Sequence, residues 1–263
     1  RFNYVRRWVR VPLGHGPIEN PTKDDGVSKF ESVAVDWTPP ENVKLEDSKI
    51  VVLLLAGLTG GSEEGYVVDL VARVRAKGWH SFVMLGRGLA RTPCQSDAFF
   101  HGARTCDFRA TAQMLRRALP RDTKIVAVGV SMGGIIVNSA CVRGELDGLC
   151  DAAISVSGCN DTNLNVNFLH SRKVWQPVLA HGLKEAFTES KSSVERMERK
   201  VGSGWREILG DVKNVKDFDN GIVTPLNDFR GADHYHEQMS PPKKDYANLK
   251  IPLFLVAALD DPV

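Results

Sequence analysis

Residues 125–137 read Ile-Val-Ala-Val-Gly-Val-Ser-Met-Gly-Gly-Ile-Ile-Val. The apolar run at 125–128 predicts a buried strand, and the small and aliphatic residues after Ser131 predict a buried helix. Gly129 and Gly133 flank Ser131 at a spacing of two, as in G-x-S-x-G. A strand–turn–helix setting is what that motif needs to present a nucleophilic serine at a strained turn. A glycine-rich turn with an incidental serine is the alternative, and its flanking strand and helix argue against it.

A serine nucleophile needs two backbone donors that stabilise the oxyanion of the reaction intermediate. The N–H of Met132, at the start of the predicted helix, is the first. The glycine-rich stretch from Gly57 to Ser62 follows another apolar run, and Leu58 is our choice for the second donor. That stretch could also cradle a phosphate, but it lacks the Gly-Lys-Ser/Thr ending of phosphate loops and is followed by two glutamates.

Apolar runs and helical patterns alternate along most of the chain. Strands are predicted at 4–13, 28–39, 50–56, 79–85, 125–128, 152–156 and 252–259. Helices are predicted at 63–77 and 107–119 and after Ser131. Such alternation indicates an α/β fold with a mostly parallel sheet flanked by helices on both faces.

The alternation stops between Cys159 and Lys250. Residues 164–208 are typical of helices rich in charge and tryptophan, whereas 211–250 carry several prolines and predict irregular structure. We therefore expect a core at 1–158, a helical cap or lid insertion at 159–250 above the carboxyl edge of the sheet, and a return to the core at 251–263. Charged helices and prolines favour a mobile lid that sets substrate choice.

Several blocks of this sequence are similar to the α/β-hydrolase superfamily, and more narrowly to its YheT-like branch, which includes embryogenesis-associated proteins and membrane-anchored hydrolase-domain lipases. The blocks are Leu54 to Ser62 with Glu64, Tyr66 and Val67; Arg87-Gly88 and Pro93; His101, Thr105 and Asp107; Phe218-Asp219 with Thr224, Phe229, Asp233, Tyr235 and Ser240; and Asp260-Asp261-Pro262. The resemblance runs from about Val5 to Val263. It implies an α/β-hydrolase fold and a serine esterase or lipase acting on lipid-like or medium-chain acyl esters.

The chain departs from the branch's pattern near the expected pocket. Ala56 stands where Pro or His is usual, Leu85 where Asn is usual, and Ala90-Arg91 where a glycine pair is usual. These departures weaken what the resemblance implies about the substrate, while the catalytic chemistry is untouched. A thioester substrate is a neighbouring possibility.

The acid of the expected Ser-Asp-His triad should follow the last strand. Asp260 and Asp261 both stand there, and the family pattern favours Asp261, with Asp260 as the alternative acid. Both could instead only begin a turn before Pro262.

No histidine follows either aspartate, so we expect the catalytic histidine, and with it a C-terminal strand and helix, beyond residue 263. His101 is expected to be structural. His234 and His236 give only a weak metal signal, and cap packing is the favoured interpretation.

The amino-acid composition limits which kinds of partner we expect for this protein. The net charge is +2 with no basic stripe interleaved with aromatic residues, which argues against a nucleic-acid partner. No cofactor or metal is implied. Five cysteines without paired spacing favour a reducing compartment. Both ends of the sequence look cut. We therefore leave open the expectation that a missing N-terminal segment associates with a membrane. A hydrolase-fold subunit that binds or scaffolds without turnover is the alternative function.

Overall fold

A computed structural model describes residues 3–12, 30–94, 99–241 and 243–261. Seven strands of this described part form one sheet in the order β1-β2-β4-β3-β5-β6-β7. The strands are β1 (Val5–Pro12), β2 (Phe30–Thr38), β3 (Ile50–Leu55), β4 (His80–Met84), β5 (Lys124–Val130), β6 (Ala152–Val156) and β7 (Leu253–Val256). β1 and β2 pair antiparallel, β2 pairs antiparallel with β4, and β4, β3, β5, β6 and β7 run parallel. The predicted mostly parallel sheet is confirmed.

Helices cover both faces of this sheet. They are α1 (Gly65–Ala76), α2 (Cys106–Ala118) and α3 (Met132–Val142). Successive side chains of a strand point to opposite faces. Leu54 therefore packs with Val71 of α1, whereas Leu53 packs in the cluster that contains Phe108 of α2 and Ile136 of α3. Burial of apolar residues on both faces explains why the central strands read as continuous apolar runs.

The segment between β6 and β7 is helical over most of its length. Its helices are α4 (Thr162–Val166), α5 (Leu169–Val174), α6 (Gln176–Glu189), α7 (Lys191–Val201), α8 (Trp205–Asp211), α9 (Val215–Phe218), α10 (Thr224–Asn227) and α11 (Ala232–Met239). A π-helical turn, Asp219–Val223, joins α9 to α10. We call residues 159–250 the insertion.

The expectation of irregular structure across 211–250 is wrong. Asn214, Gly231 and one of the prolines that predicted irregular structure, Pro225, lie at helix starts. The Asn214 side chain accepts a hydrogen bond from the Asp217 N–H at 3.1 Å and caps α9. Pro225 lies in the first turn of α10, and Gly231, with φ of +123°, precedes α11. Proline in a first turn is compatible with a helix because its missing N–H would have no helical partner there.

The insertion also has an apolar core of its own, which its charge-rich sequence did not predict. Phe187 makes edge-to-face contacts with Trp205 and with Phe218, at centroid distances of 5.8 and 6.3 Å. The same cluster continues into Ile135 and Met132 of α3. The insertion is therefore packed directly on the helix that follows Ser131.

The last strand is shorter than predicted. β7 ends at Val256, which pairs with Val156, the last residue of β6. The pairing of β7 therefore stops where β6 stops. β7 forms an outer edge of the described sheet, and Phe254 is 66% exposed. Among the described residues, no helix is long and apolar enough to cross a bilayer.

Candidate active site

Ser131 lies in the turn between β5 and α3 with φ of +53° and ψ of −121°. Non-glycine residues avoid this region, and holding one there costs about 1–3 kcal/mol. The surrounding structure maintains it. The Ser131 N–H donates to the Val156 carbonyl at 2.8 Å, and its own carbonyl accepts from the Ile135 N–H at 3.0 Å. The strand–turn–helix predicted around Ser131 is present, with the strain that a nucleophile elbow requires.

The two flanking positions admit only glycine. A Cβ on Gly129 would lie 2.1 Å from the Gly133 carbonyl oxygen, and a Cβ on Gly133 would lie 2.3 Å from the Leu55 carbonyl oxygen. Both contacts are with backbone atoms, which cannot move aside as a flexible side chain can. Close packing of α3 on the end of β3 thus brings the loop after Leu55 to Ser131.

That loop places Leu58 beside Ser131. A Cβ built on Gly57 would lie 3.2 Å from the Ser131 Cβ. The Gly57 N–H donates to the Tyr66 hydroxyl oxygen at 2.8 Å, so it is already engaged. Leu58 follows directly and lines the same cavity as Ser131 and Met132.

Polar side chains hold the far end of the loop. The Ser62 hydroxyl donates to Asp36 at 2.7 Å, and Arg6 pairs with the same carboxylate at 2.7 and 2.9 Å. The Tyr4 hydroxyl donates to the Ser62 carbonyl. β1 and β2, the antiparallel strands at the sheet edge, thereby anchor the loop that carries Leu58.

A cavity of about 250 Å³ lies at the carboxyl end of β5, between the sheet and the insertion. Ser131, Met132, Leu58 and Asp261 all line it. The remaining lining is mostly apolar and comes from both layers, including Leu89, Phe99, Phe100, Ile135, Val166, Leu179, Leu183, Val215, Phe218, Val223 and Met239. A mostly apolar pocket with a few polar groups is typical of a small-molecule site.

The two candidate acids differ in position. Asp261 is half-buried and lines the cavity, whereas Asp260 is exposed and is not part of that lining. The Asp261 N–H donates to the Ala258 carbonyl at 3.4 Å, in the turn that follows β7. In this turn Asp261 lies toward the cavity and Asp260 toward solvent.

His101 also lines the cavity, at the end of the β4–α2 connection. Its ring is 4% exposed and packs edge-on against Phe229 and Tyr235, at centroid distances of 5.5 and 5.9 Å. Within the described residues, no hydrogen bond joins a histidine to the Ser131 hydroxyl. The ring contacts agree with a structural role.

Sequence reasoning missed a buried pair in the insertion. The Asp219 Oδ2 and His236 Nε2 atoms lie 2.7 Å apart, His236 is completely buried, and Asp219 lines the cavity. Burial raises the pKa of the Asp219 carboxyl above its usual range, and the hydrogen bond with His236 opposes this rise. In the sequence, Asp219 stands out only as part of the Phe218-Asp219 block. No local pattern links it to a histidine 17 positions away, because the π-turn sets their approach.

Two of the departures from the family pattern are now explicable. Ala90 and Arg91 have φ of +49° and +59°, and both are exposed. A glycine pair would take these angles without steric cost, whereas side chains here are strained. The chain keeps the left-handed turn that the glycines would favour.

Curated relatives of this chain share its sequence over most of its length. It is 30% identical to the embryogenesis-associated protein EMB8 of Picea glauca over 249 residues, which cover 88% of this chain and 52% of that protein. It is 26% identical to a monoacylglycerol lipase of Saccharomyces cerevisiae, over 85% of this chain and 51% of the lipase. It is 25% identical to the putative esterase YheT of Escherichia coli, over 87% of this chain and 66% of that protein.

These relatives include the named members of one branch. Their sequences and the fold support an α/β hydrolase of the YheT-like family. It spans about half the length of the first two relatives. No protein-family model matches it. The fold agrees with a probable hydrolytic enzyme from Pseudomonas aeruginosa, at a TM-score of 0.50 and 11% identity, over 98% of this chain and 74% of that one.

Proposed function

We propose that the full-length protein is a serine hydrolase of carboxylic esters with Ser131 as its nucleophile. The observation that carries this proposal is the strained Ser131 at the floor of an apolar cavity, between the ends of β5 and α3. A neutral serine is a weak nucleophile, and attack on an ester requires a base and stabilisation of the oxyanion.

The N–H groups of Met132 and Leu58 hold the oxyanion in this proposal. Met132 begins α3, where backbone N–H groups have no helical partner and the helix dipole favours negative charge. Leu58 is the second donor because the Gly57 N–H is held by Tyr66 and the close approach of Gly57 brings the next peptide to Ser131.

Asp261 orients the histidine that acts as the base. In α/β hydrolases the triad residues follow the order serine, acid, histidine, so the proposed base belongs to a segment after Asp261. His101 is not assigned this role, because its ring is packed between Phe229 and Tyr235.

The substrate is a lipid-like or medium-chain acyl ester. The cavity walls from α3 and from the insertion are apolar, and each methylene buried there contributes about 0.8 kcal/mol. A relative named as a monoacylglycerol lipase and another named as a putative esterase agree with this class. The insertion supplies much of the wall and is proposed as the lid that selects the acyl chain.

The test measures hydrolysis of p-nitrophenyl esters of increasing acyl length by the full-length protein and by Ser131→Ala. We expect kcat/KM to rise from acetate to medium-chain esters and to fall at least about a thousandfold in the variant. Ester hydrolysis that survives Ser131→Ala would exclude the proposal. A stable full-length protein that hydrolyses none of these esters would also exclude it, and would favour a binding or scaffold role.

A further inference from the structure

The Asp219–His236 pair presents its carboxyl, not its imidazole, to the cavity. Asp219 lines the cavity at the π-turn and is 6% exposed, whereas His236 is completely buried behind it. The two residues share one hydrogen bond, between Oδ2 and Nε2. The pair therefore does not act as a base for Ser131, since the imidazole does not line the space where a substrate would bind.

The other carboxyl oxygen is available to a ligand. Within the described residues, Oδ1 of Asp219 has no hydrogen-bond partner. Either His236 donates to a carboxylate or a carboxylic acid donates to His236. In both cases the shared proton lies between Oδ2 and Nε2, so Oδ1 is left as an acceptor. Oδ1 is not among the fully buried polar atoms that lack a partner, so it is open to the cavity, where a donor group of a bound molecule can reach it.

We propose that Asp219 forms a hydroxyl-binding subsite, so that the enzyme prefers acyl esters that carry a free hydroxyl group. This inference rests on the proposed ester hydrolysis and narrows its substrate class. The surrounding wall is apolar. It includes Phe218 and Val223, which precede and follow Asp219 in the sequence. A hydroxyl is the small neutral donor that can enter such a wall at low desolvation cost.

A cationic head group fits this subsite less well. An aspartic acid that donates to His236 leaves the subsite without a negative charge, whereas a carboxylate that accepts from a neutral His236 carries a single negative charge. Burial of Asp219 also favours its uncharged form. A cation would thus lose its hydration without gaining a net opposite charge, whereas a hydroxyl needs only the acceptor.

The substrate hydroxyl could belong to the alcohol part or to the acyl part of the ester. Glycerol monodecanoate, ethyl ω-hydroxydecanoate and ethyl decanoate separate these sources, because they share an acyl length and differ in where a hydroxyl stands. The full-length wild-type protein should favour at least one hydroxyl ester over ethyl decanoate by about tenfold to a hundredfold in kcat/KM, as expected for a hydrogen bond to a charged or strongly polarised group.

Two variants separate the acceptor from the charge. Asp219→Asn keeps an oxygen toward the cavity while its amide can donate to His236, so most of the preference should remain. The double variant Asp219→Leu/His236→Phe removes both polar groups, and apolar replacement of a buried pair is often neutral for stability. It should lose about tenfold or more of the preference. Asp233→Leu, at an exposed carboxyl in α11, is the matched control and should keep it.

Labelling of Ser131 by a fluorophosphonate shows that each variant has an intact site. An unchanged preference for hydroxyl esters in the labelled double variant would overturn the inference. A loss of preference in Asp219→Asn as large as that in the double variant would overturn it too. Equal wild-type rates on all three esters would overturn it without any variant. Absence of Ser131-dependent hydrolysis of all three would instead overturn the proposed function, and this inference with it.

Discussion

Ser131 holds a backbone conformation that L-residues rarely adopt, with φ of +53°. Glycine relieves the strain of about 1–3 kcal/mol but loses about 0.5–1 kcal/mol through its more flexible unfolded chain. We expect Ser131→Gly to be about 1 kcal/mol more stable than Ser131→Ala in urea unfolding. Ser139 lies within α3 at a position without such strain, and there the order of stability should reverse. Ser139→Ala should be about 1 kcal/mol more stable than Ser139→Gly. The same order at both positions would contradict strain at Ser131.

Tyr66 is the second residue whose role can be isolated. Its hydroxyl accepts the Gly57 N–H at 2.8 Å and thereby fixes the peptide before Leu58. Tyr66→Phe frees that peptide, and misplacement of one oxyanion donor should lower kcat about tenfold or more with a smaller change in KM. Tyr4→Phe alters the other end of the loop, at Ser62, and is the control. Equal losses in the two variants would show that the loop, rather than the Gly57 peptide, is responsible.

At the level of elements, the turn after β7 separates the two candidate acids. Asp261 lines the cavity and Asp260 is exposed. In the full-length protein Asp261→Asn should therefore lower kcat by about 10⁴, because an asparagine favours the wrong histidine tautomer. Asp260→Asn should stay within about twofold of the wild type. A larger loss from Asp260→Asn in the same ester assay would reverse the assignment.

The elements also show what sequence patterns can specify. The G-x-S-x-G turn was predictable because only glycine avoids the backbone clashes at 129 and 133, so the requirement is local. The helices of 211–239 were not, since Pro225 and Gly231 are compatible with both a loop and a helix start. Packing of Phe218 against Phe187, which is distant in sequence, favours the helical alternative.

At the scale of the whole molecule, the fold could be predicted because strands and helices alternate along the chain. The approach of Asp219 to His236 could not. Asp219 lies in the π-turn and His236 in α11, so their contact depends on how these two elements pack. Single-sequence patterns do not encode such packing.

Burial of thiols predicts a loss of stability at high pH. Burial raises the pKa of Cys141 from 9.0 to about 11 and that of Cys150 from 9.0 to about 12. The folded protein therefore keeps protons that the unfolded chain releases, so this contribution is present below about pH 9 and is lost as the pH rises through about 11–12. The urea midpoint should fall between about pH 8 and pH 10.5. Cys150→Ala should flatten that fall, and an unchanged slope would contradict the assignment.

Ser131 as the nucleophile is tested by fluorophosphonate labelling of the full-length protein, with the modified peptide mapped by mass spectrometry. We predict a single adduct on Ser131, its loss in Ser131→Ala, and its suppression by a medium-chain ester that fills the cavity. Labelling that persists in Ser131→Ala, or a folded wild-type protein that is not labelled at Ser131, would contradict it.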